Sequence, residues 1–255
     1  MNKTIKTLAV SGLALASSLS VSAQEAAESG FGLNAGFDLV SSYVWRGTHC
    51  AGASFQPSLG LEYKGLTFGG WGSTDFENGL NEFDLSLGYS NWGVSLLVTD
   101  YFFPSNGIGM QSNRKDNKTS GKYFEWNDDA TQHQIEVSLG YDFSEVFEKV
   151  PLTVTWNTIL YGNDKKSSDN GKNRYSTYIE LAYQFHVKAV KLDIATGFTP
   201  WESQYQKDNH FNMVNLSLKG SYDIKITDSF SLPVFAQAVF NPNTENVYFV
   251  AGLSF

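Results

Sequence analysis

From Leu33 to the C-terminus, apolar and polar residues alternate with a period of two in twelve successive segments. This alternation predicts β-strands with one apolar and one polar face, because successive side chains of a strand point to opposite sides. The segments are close to the ~9–11 residues that a tilted strand needs to cross a membrane. The sequence therefore predicts an all-β fold, a transmembrane up-and-down antiparallel β-barrel of about twelve strands.

The apolar face of such a barrel can point outward to lipid or, as in a lipocalin-type barrel, inward. Twelve strands enclose an interior too wide for apolar side chains to fill completely. Aromatic residues also gather at the segment ends, as in the girdles at the two surfaces of a membrane. We therefore expect the apolar face to contact lipid, with girdle residues that include Tyr43 and Trp45, Tyr89 and Trp92, Tyr141 and Phe143, and Tyr183 and Phe185.

The N-terminus is typical of a cleaved secretory signal. Lys3 and Lys6 precede a short apolar stretch, and Val21-Ser22-Ala23 fits the small-x-small cleavage rule. The sequence thus predicts a signal peptide at residues 1–23, a short periplasmic N-terminal segment at 24–31 and the barrel at 32–255. A signal peptide followed by a barrel indicates export to the cell outer membrane of a Gram-negative bacterium.

Composition and connection lengths agree with this interpretation. The net charge of −8 argues against a nucleic-acid partner, which requires a basic face. Cys50 is the only cysteine, so no disulfide framework is expected. The gaps between segments alternate between short and long, the longest lying at residues 104–127, 163–174 and 200–210. Bacterial outer-membrane barrels have short periplasmic turns and long external loops, with both termini in the periplasm.

Two stretches resemble known outer-membrane proteins. The last nine residues, with Phe249, Leu253 and the terminal Phe255, resemble the signature that the barrel-assembly machinery reads. Near the N-terminus, Val40-Ser-Ser-Tyr-Val-Trp-Arg-Gly47 resembles the S-x-Y-V-x-R-G opening of a family of outer-membrane porins labelled TorF-like. Similar residues continue at 56–63, 70–73 and 84–89, so the match covers roughly residues 36–103. Ser42 stands where that family often has an acidic residue. The resemblance implies an outer-membrane porin fold and names no substrate.

If the apolar face contacts lipid, the residues at the alternate positions of each strand line the lumen. Buried charges must be paired or hydrated, which allows two interpretations. One is a water-filled pore for passive diffusion of small hydrophilic solutes, with a preference for cations because carboxylates outnumber bases. The other is a packed interior in a non-conducting structural or adhesin-like barrel. The lumen candidates of the sequence are Asp38, Arg46, Glu62, Glu82, Asp84, Glu136, Glu180, Lys191, Asp193 and Lys219.

Arg46 should lie at the external rim, where three interactions are open to it. It can hold a constriction, pair with a lipopolysaccharide phosphate, or form an ion pair with a carboxylate of a neighbouring strand. The loop at 104–127 can fold inward as a constriction, contact anionic headgroups or stay solvated. The expected partners are outer-membrane lipid and lipopolysaccharide, the assembly machinery and small hydrophilic solutes.

An outer-membrane hydrolase is the remaining alternative. It would need a nucleophile and a histidine oriented by a third group. No His-x-Ser arrangement occurs, and Asp208-Asn209-His210 has the D-x-H spacing of an aspartyl-type protease without an evident facing acidic pair. We expect that the protein is not an enzyme and that it binds no cofactor or metal.

Overall fold

The computed structural model of the protein describes residues 30–79, 81–104, 121–147, 150–166, 171–206 and 208–255. The predicted signal peptide lies outside these residues. The described residues form fourteen β-strands and a short 3₁₀ turn at Phe143–Glu145. The strands are β1 (Phe31–Val40), β2 (Tyr43–Trp45), β3 (Thr48–Ala51), β4 (Ser54–Tyr63), β5 (Leu66–Asp75), β6 (Asn81–Asn91), β7 (Val94–Phe102), β8 (His133–Asp142), β9 (Leu152–Gly162), β10 (Thr177–Val187), β11 (Val190–Thr199), β12 (Asn212–Lys225), β13 (Ser231–Asn241) and β14 (Asn246–Ser254).

Twelve of the described strands close into one barrel. Strands β4 to β14 pair antiparallel in chain order, and β1 closes the ring by pairing with β4 on one side and β14 on the other. Closure leaves no unpaired strand edge. The predicted fold, an all-β up-and-down antiparallel barrel of twelve strands, is confirmed.

The connections divide the barrel into two ends. At the short-turn end, strands are joined at residues 64–65, 92–93, 143–151, 188–189 and 226–230. Lys64-Gly65 and Trp92-Gly93 have positive φ at both residues, as a two-residue hairpin turn requires. The longest connections, 103–132, 163–176 and 200–211, meet at the other end, the long-loop end. The alternation of gap lengths in the sequence therefore separates the two ends of the barrel.

The outer surface of the barrel is apolar and its interior is polar. Leu33 and Leu87, on the predicted apolar face, are 60% and 58% exposed, whereas Glu82 and Asp84 on the opposite face are buried. A soluble protein has the reverse arrangement, and exposed apolar surface on this scale marks an interaction with another apolar phase. Separately, no helix within the described ranges is long and apolar enough to span a membrane.

The seam between β1 and β14 is the shortest ladder of the barrel. Three residue pairs join these strands, from Asp38 opposite Ser254 to Val40 opposite Gly252, whereas β1 pairs with β4 over ten. Two further backbone bonds of 2.9 Å link Phe37 and Phe255, whose rings stack at 4.9 Å. The chain therefore ends at the closing seam.

The segment after β1 departs from the prediction. We expected the first strand to run on to Trp45 and to place Tyr43 and Trp45 in an outer girdle, and this was wrong. Strands β2 and β3 instead form a separate two-stranded sheet, which we call the hairpin. The ring of Tyr43 lies 5.6 Å from that of Trp71, and the ring of Trp45 lies 5.3 Å from that of Tyr101.

The hairpin occupies the lumen, since it contacts strands on different sides of the barrel. Its turn, Arg46-Gly47, has φ values of 49° and 78°, the left-handed geometry of a two-residue turn. A Cβ on Gly47 would lie 1.9 Å from the carbonyl oxygen of Val214 in β12. Asn241 of β13 donates a hydrogen bond of 3.0 Å to the carbonyl of Gly47. The Arg-Gly pair of the opening motif is therefore the point where the hairpin reverses and meets the barrel wall.

Replacing Gly47 should displace the hairpin. In Gly47→Ala the added methyl meets the β12 backbone, and the left-handed conformation alone costs about 1–2 kcal/mol. Cys50 on β3 is buried and free, so it reports the displacement. We expect maleimide labelling of Cys50 in the folded barrel to become roughly tenfold faster, since ~1.4 kcal/mol corresponds to a factor of ten.

Gly60→Ala is the matched control. A Cβ at Gly60 meets a single atom at ordinary contact distance, the Cβ of Asn34 at 3.9 Å. Its labelling rate should equal that of the unmodified protein. Equal rates in both variants would show that the hairpin tip tolerates a side chain.

Candidate functional site

An ion pair between Arg46 and Glu136 lies at the centre of the interior. The guanidinium of Arg46 donates two hydrogen bonds to the Glu136 carboxylate, at 2.6 and 2.8 Å, in the bidentate geometry that such pairs favour. The side chains are 2% and 1% exposed. Glu136 belongs to β8, which does not neighbour β1, so the pair connects the hairpin to a distant part of the barrel wall.

Aromatic and hydroxyl groups surround the pair. Arg46 also donates to the Tyr205 hydroxyl at 2.6 Å, and its guanidinium lies 4.3 Å from the ring centre of Trp45 and 4.8 Å from that of Tyr178. Tyr101 donates a 3.0 Å hydrogen bond to Glu136. Such contacts offset the desolvation of two buried charges. Because Tyr205 lies in the 200–211 connection, Arg46 links the hairpin, β8 and a long loop.

The structure changes the interpretation of Arg46. Its side chain is buried inside the barrel, on the hairpin and not on the barrel wall. A phosphate outside the barrel cannot reach a guanidinium that is this buried. Arg46 does form an ion pair, but its partner is Glu136 on β8 and not a carboxylate of a neighbouring strand.

The other predicted lumen residues lie on the inward parity of their strands. Asp38, Glu82, Asp84, Glu136 and Glu180 are buried, whereas Glu62, Lys191, Asp193 and Lys219 are partly exposed. The structure brings Arg46 to Glu136, and it places Lys191 3.7 Å from Asp193. The remaining charges are spread around the wall of β1, β4, β6, β10 and β12.

A cavity of about 350 Å³ lies beside the hairpin. Residues near the short-turn end contribute to it, among them Pro151, Gln184 and Lys191, while Tyr43, Trp45 and Arg46 of the hairpin also line it. Its volume is at the lower end of the ~300–1,000 Å³ typical of small-molecule sites. Its lining combines charged, amide and aromatic side chains, which suits a small polar solute.

A second polar cluster lies at the long-loop end. Asp164 accepts hydrogen bonds from the backbone N–H of Ser176 at 2.7 Å and from its hydroxyl at 2.6 Å. Burial raises the pKa of the Asp164 carboxyl above its ordinary value, and the Ser176 hydrogen bonds and nearby Arg174 oppose that rise. Lys165 pairs with Asp128 at 2.6 Å. These contacts fix the 163–176 connection against its neighbour.

His133 is the one histidine of the four that is buried. Its Nδ1 lies 2.7 Å from Asp100, its Nε2 lies 2.6 Å from the carbonyl oxygen of Tyr123, and Trp126 stacks on the ring at 3.8 Å. Both ring nitrogens therefore already have partners within the protein, and neither faces a serine. His49, His186 and His210 are exposed. Within the described ranges, no group of three or more His, Cys, Asp and Glu side chains is placed to hold a metal ion.

The aromatic residues of the interior were not among the predicted lumen residues. Tyr101, Tyr178 and Trp71 occupy inward positions of β7, β10 and β5, so strand parity alone was enough to find them. Tyr205 lies in a loop, where no periodicity indicates the direction of a side chain. The contact between Tyr205 and Arg46 joins residues 159 positions apart.

Fold and interior together define a class: a closed antiparallel β-barrel with an apolar outer surface, a charged lumen and a hairpin inserted into that lumen. No family model matches the chain, and no curated protein matches it. Among solved structures, a chain from work described as "Unveiling the Mechanism Behind the in-meso Crystallization of Membrane Proteins" is similar at 7% identity. The alignment covers 88% of this chain and 82% of that one, with a TM-score of 0.44.

Removing the charge of Arg46 should destabilise the barrel. In Arg46→Met the Glu136 carboxylate stays buried without a cation, which costs about 3–5 kcal/mol. Chemical unfolding of the protein in detergent micelles measures the change. The double variant Arg46→Met with Glu136→Gln should recover most of the loss, because no unpaired charge remains.

Lys225→Met supplies the control, because it breaks an ion pair of similar length, 2.7 Å to Asp228, that is exposed. Its unfolding midpoint should not change. A loss in the double variant as large as in Arg46→Met would mean that packing, and not the buried charge, accounts for the effect.

Proposed function

We propose that this protein is an outer-membrane channel of a Gram-negative bacterium, through which small hydrophilic solutes diffuse passively when the hairpin leaves room for them. The observation that carries the proposal is the polarity of the closed barrel. Apolar side chains cover its outer surface and charged side chains line its interior. A barrel in lipid needs that arrangement, since every backbone group is paired between strands and only apolar groups meet the acyl chains.

Aromatic residues at both ends support a membrane location. Trp92, Tyr63 and Tyr89 are exposed at the short-turn end, and Trp201 and Tyr175 are exposed towards the long-loop end. Amphipathic aromatic side chains favour the two surfaces of a membrane, where the ring meets both apolar and polar groups. We accordingly assign the short-turn end, which contains the start of β1 and the end of β14, to the periplasm.

Export and insertion follow from the same proposal. The signal peptide at residues 1–23 would direct the chain across the inner membrane. Phe249, Leu253 and Phe255 of the last strand would be read by the barrel-assembly machinery. Phe249 is 77% exposed on the outer surface, where such a contact is available. Lipid and lipopolysaccharide would then surround the barrel.

The hairpin determines how open the lumen is. Arg46, Glu136, Tyr101 and Tyr205 are all buried, so the hairpin and its partners fill much of the lumen at this level. Conduction at this level therefore requires the hairpin to shift or a narrow path on another side of it. Either way, the contacts of Arg46 oppose the flow of solute.

Releasing the hairpin should raise the conductance. We expect the purified protein in planar bilayers to give small or infrequent single-channel currents, and Arg46→Met to give larger or more frequent ones. Lys225→Met, which alters an exposed turn, should match the unmodified protein. A current that is unchanged in Arg46→Met would show that the hairpin does not limit conduction.

The lumen should prefer cations. The described inward-facing charges comprise more carboxylates than bases, and fixed charges of one sign attract mobile ions of the other. The reversal potential in a salt gradient should therefore have the sign of cation selectivity. Glu62→Gln combined with Asp193→Asn should move it towards zero. An anion-selective reversal potential would contradict this part of the proposal.

A non-conducting structural barrel is the second candidate. The observation that favours it is the network around Arg46, whose members Arg46, Glu136, Tyr101 and Tyr205 are all buried. Recording separates the two functions: if both the unmodified protein and the Arg46→Met variant stay silent in bilayers, the structural function is the better conclusion.

A further inference from the structure

Among the described residues, two side chains of opposite charge line the cavity and form no ion pair within 4 Å. The Nζ atom of Lys219 has no carboxylate oxygen within 4 Å in the described part of the chain, and it lies 4.0 Å from the ring centre of Phe235. The Oδ1 atom of Asp84 has no hydrogen-bond partner among the described residues, although the side chain is buried. Both residues line the same cavity.

These two charges face each other across the lumen. Asp84 is on β6 and Lys219 is on β12, and six steps around the ring of twelve separate the two strands in either direction. The strands are therefore diametrically opposite. A ring of this size, with strands ~4.8 Å apart and tilted by ~40°, has a diameter of about 24 Å between backbones.

Other charged groups around the cavity have closer partners. Asp193 stands opposite Lys219 in the pairing of β11 with β12, but its carboxylate lies 3.7 Å from the ammonium of Lys191. Asp38 accepts a hydrogen bond of 2.6 Å from Ser254. Arg46 of the hairpin and Glu136 form their own bidentate ion pair. On the opposite wall, Glu82 shares the inward face of β6 with Asp84.

Trp71 is a third side chain of the cavity that can contact a ligand. It lies directly opposite Asp84 in the pairing of β5 with β6, and its indole Nε1 has no hydrogen-bond partner among the described residues. An indole ring next to a carboxylate is a favourable environment for an ammonium group, because the ring face attracts cations. Trp71 also lines the cavity.

We propose that the cavity binds short zwitterionic peptides, with the N-terminal ammonium at Asp84 and Trp71 and the C-terminal carboxylate at Lys219. A single α-amino acid is too short, since its two charges flank one carbon atom. An extended peptide of two to four residues spans about 7–14 Å at ~3.3–3.6 Å per residue, which matches a lumen narrowed by side chains. A neutral sugar leaves both charges unmatched, and a simple cation matches one. The assignment rests on the proposed channel for the route by which the peptide arrives, but the binding itself does not require conduction.

The test measures equilibrium binding to the full-length protein in detergent micelles by titration calorimetry. The probes are trialanine, N-acetyl-trialanine, trialanine amide and glucose. Trialanine should bind, and blocking either end should weaken binding about tenfold or more, as expected for the loss of a charge-assisted hydrogen bond. Glucose should not bind detectably.

Variants then assign each end of the peptide. Asp84→Asn should lose the preference for trialanine over its N-acetyl form and keep the preference over the amide. Lys219→Gln should show the reverse pattern. Lys225→Gln is the matched control, since it makes the same substitution at an exposed lysine of the same strand, outside the cavity. It should keep both preferences.

The inference is overturned if the two blocked peptides bind the unmodified protein as well as trialanine does, or if glucose competes with trialanine. These comparisons need no variant, so misfolding of Asp84→Asn would leave the test intact. Bilayer recordings decide the channel separately. Peptide binding without current would refute the channel and keep the site, whereas current without peptide binding would refute the site and keep the channel.

Discussion

The arrangement of the interior depends on the ion pair between Arg46 and Glu136. Burying two charges costs several kcal/mol per ion, so the pair persists only because bidentate hydrogen bonds and surrounding hydroxyl and aromatic groups offset that cost. Its position then fixes the rest: the hairpin lies across the lumen, the loop with Tyr205 packs onto it, and Cys50 is covered. The cavity takes one of its boundaries from the same hairpin. Strand pairing around the ring determines the fold of the barrel, and this pair determines the shape of its interior.

The barrel itself could be predicted because strand geometry is rigid. A period of two assigns each side chain to one of two faces. In a closed ring, one of these faces points into the lumen and the other points outward. This is why Glu82, Asp84 and Glu136 were placed on the inward parity from the sequence alone, and why the even number of strands followed from counting. The alternation of short and long gaps supports the same topology, because a two-residue turn such as Lys64-Gly65 can only join two adjacent antiparallel strands.

The hairpin could not be predicted from the same pattern. Tyr43 and Trp45 continue the alternation of β1, and a strand that folds back into the lumen has the same periodicity as one that continues in the wall. Only Arg46-Gly47, a pair that suits a left-handed turn, marked the reversal locally. The contacts that hold the hairpin join residues such as Arg46 and Tyr205, which lie far apart in the chain. Periodicity is a local property and contains no information about such pairs.

The short seam between β1 and β14 gives the hairpin a mechanical role in addition to its place in the lumen. Val40 of β1 and Val250 of β14 pack together with Phe235, and Val44 of the hairpin packs against this cluster from inside. The backbone N–H of Ser41 also donates to the carbonyl of Ala251, so the root of the hairpin is bonded to the strand across the seam. The hairpin thus reinforces from within the one ladder of the barrel that has the fewest bonds. Displacing the hairpin would therefore remove contacts that hold this seam closed.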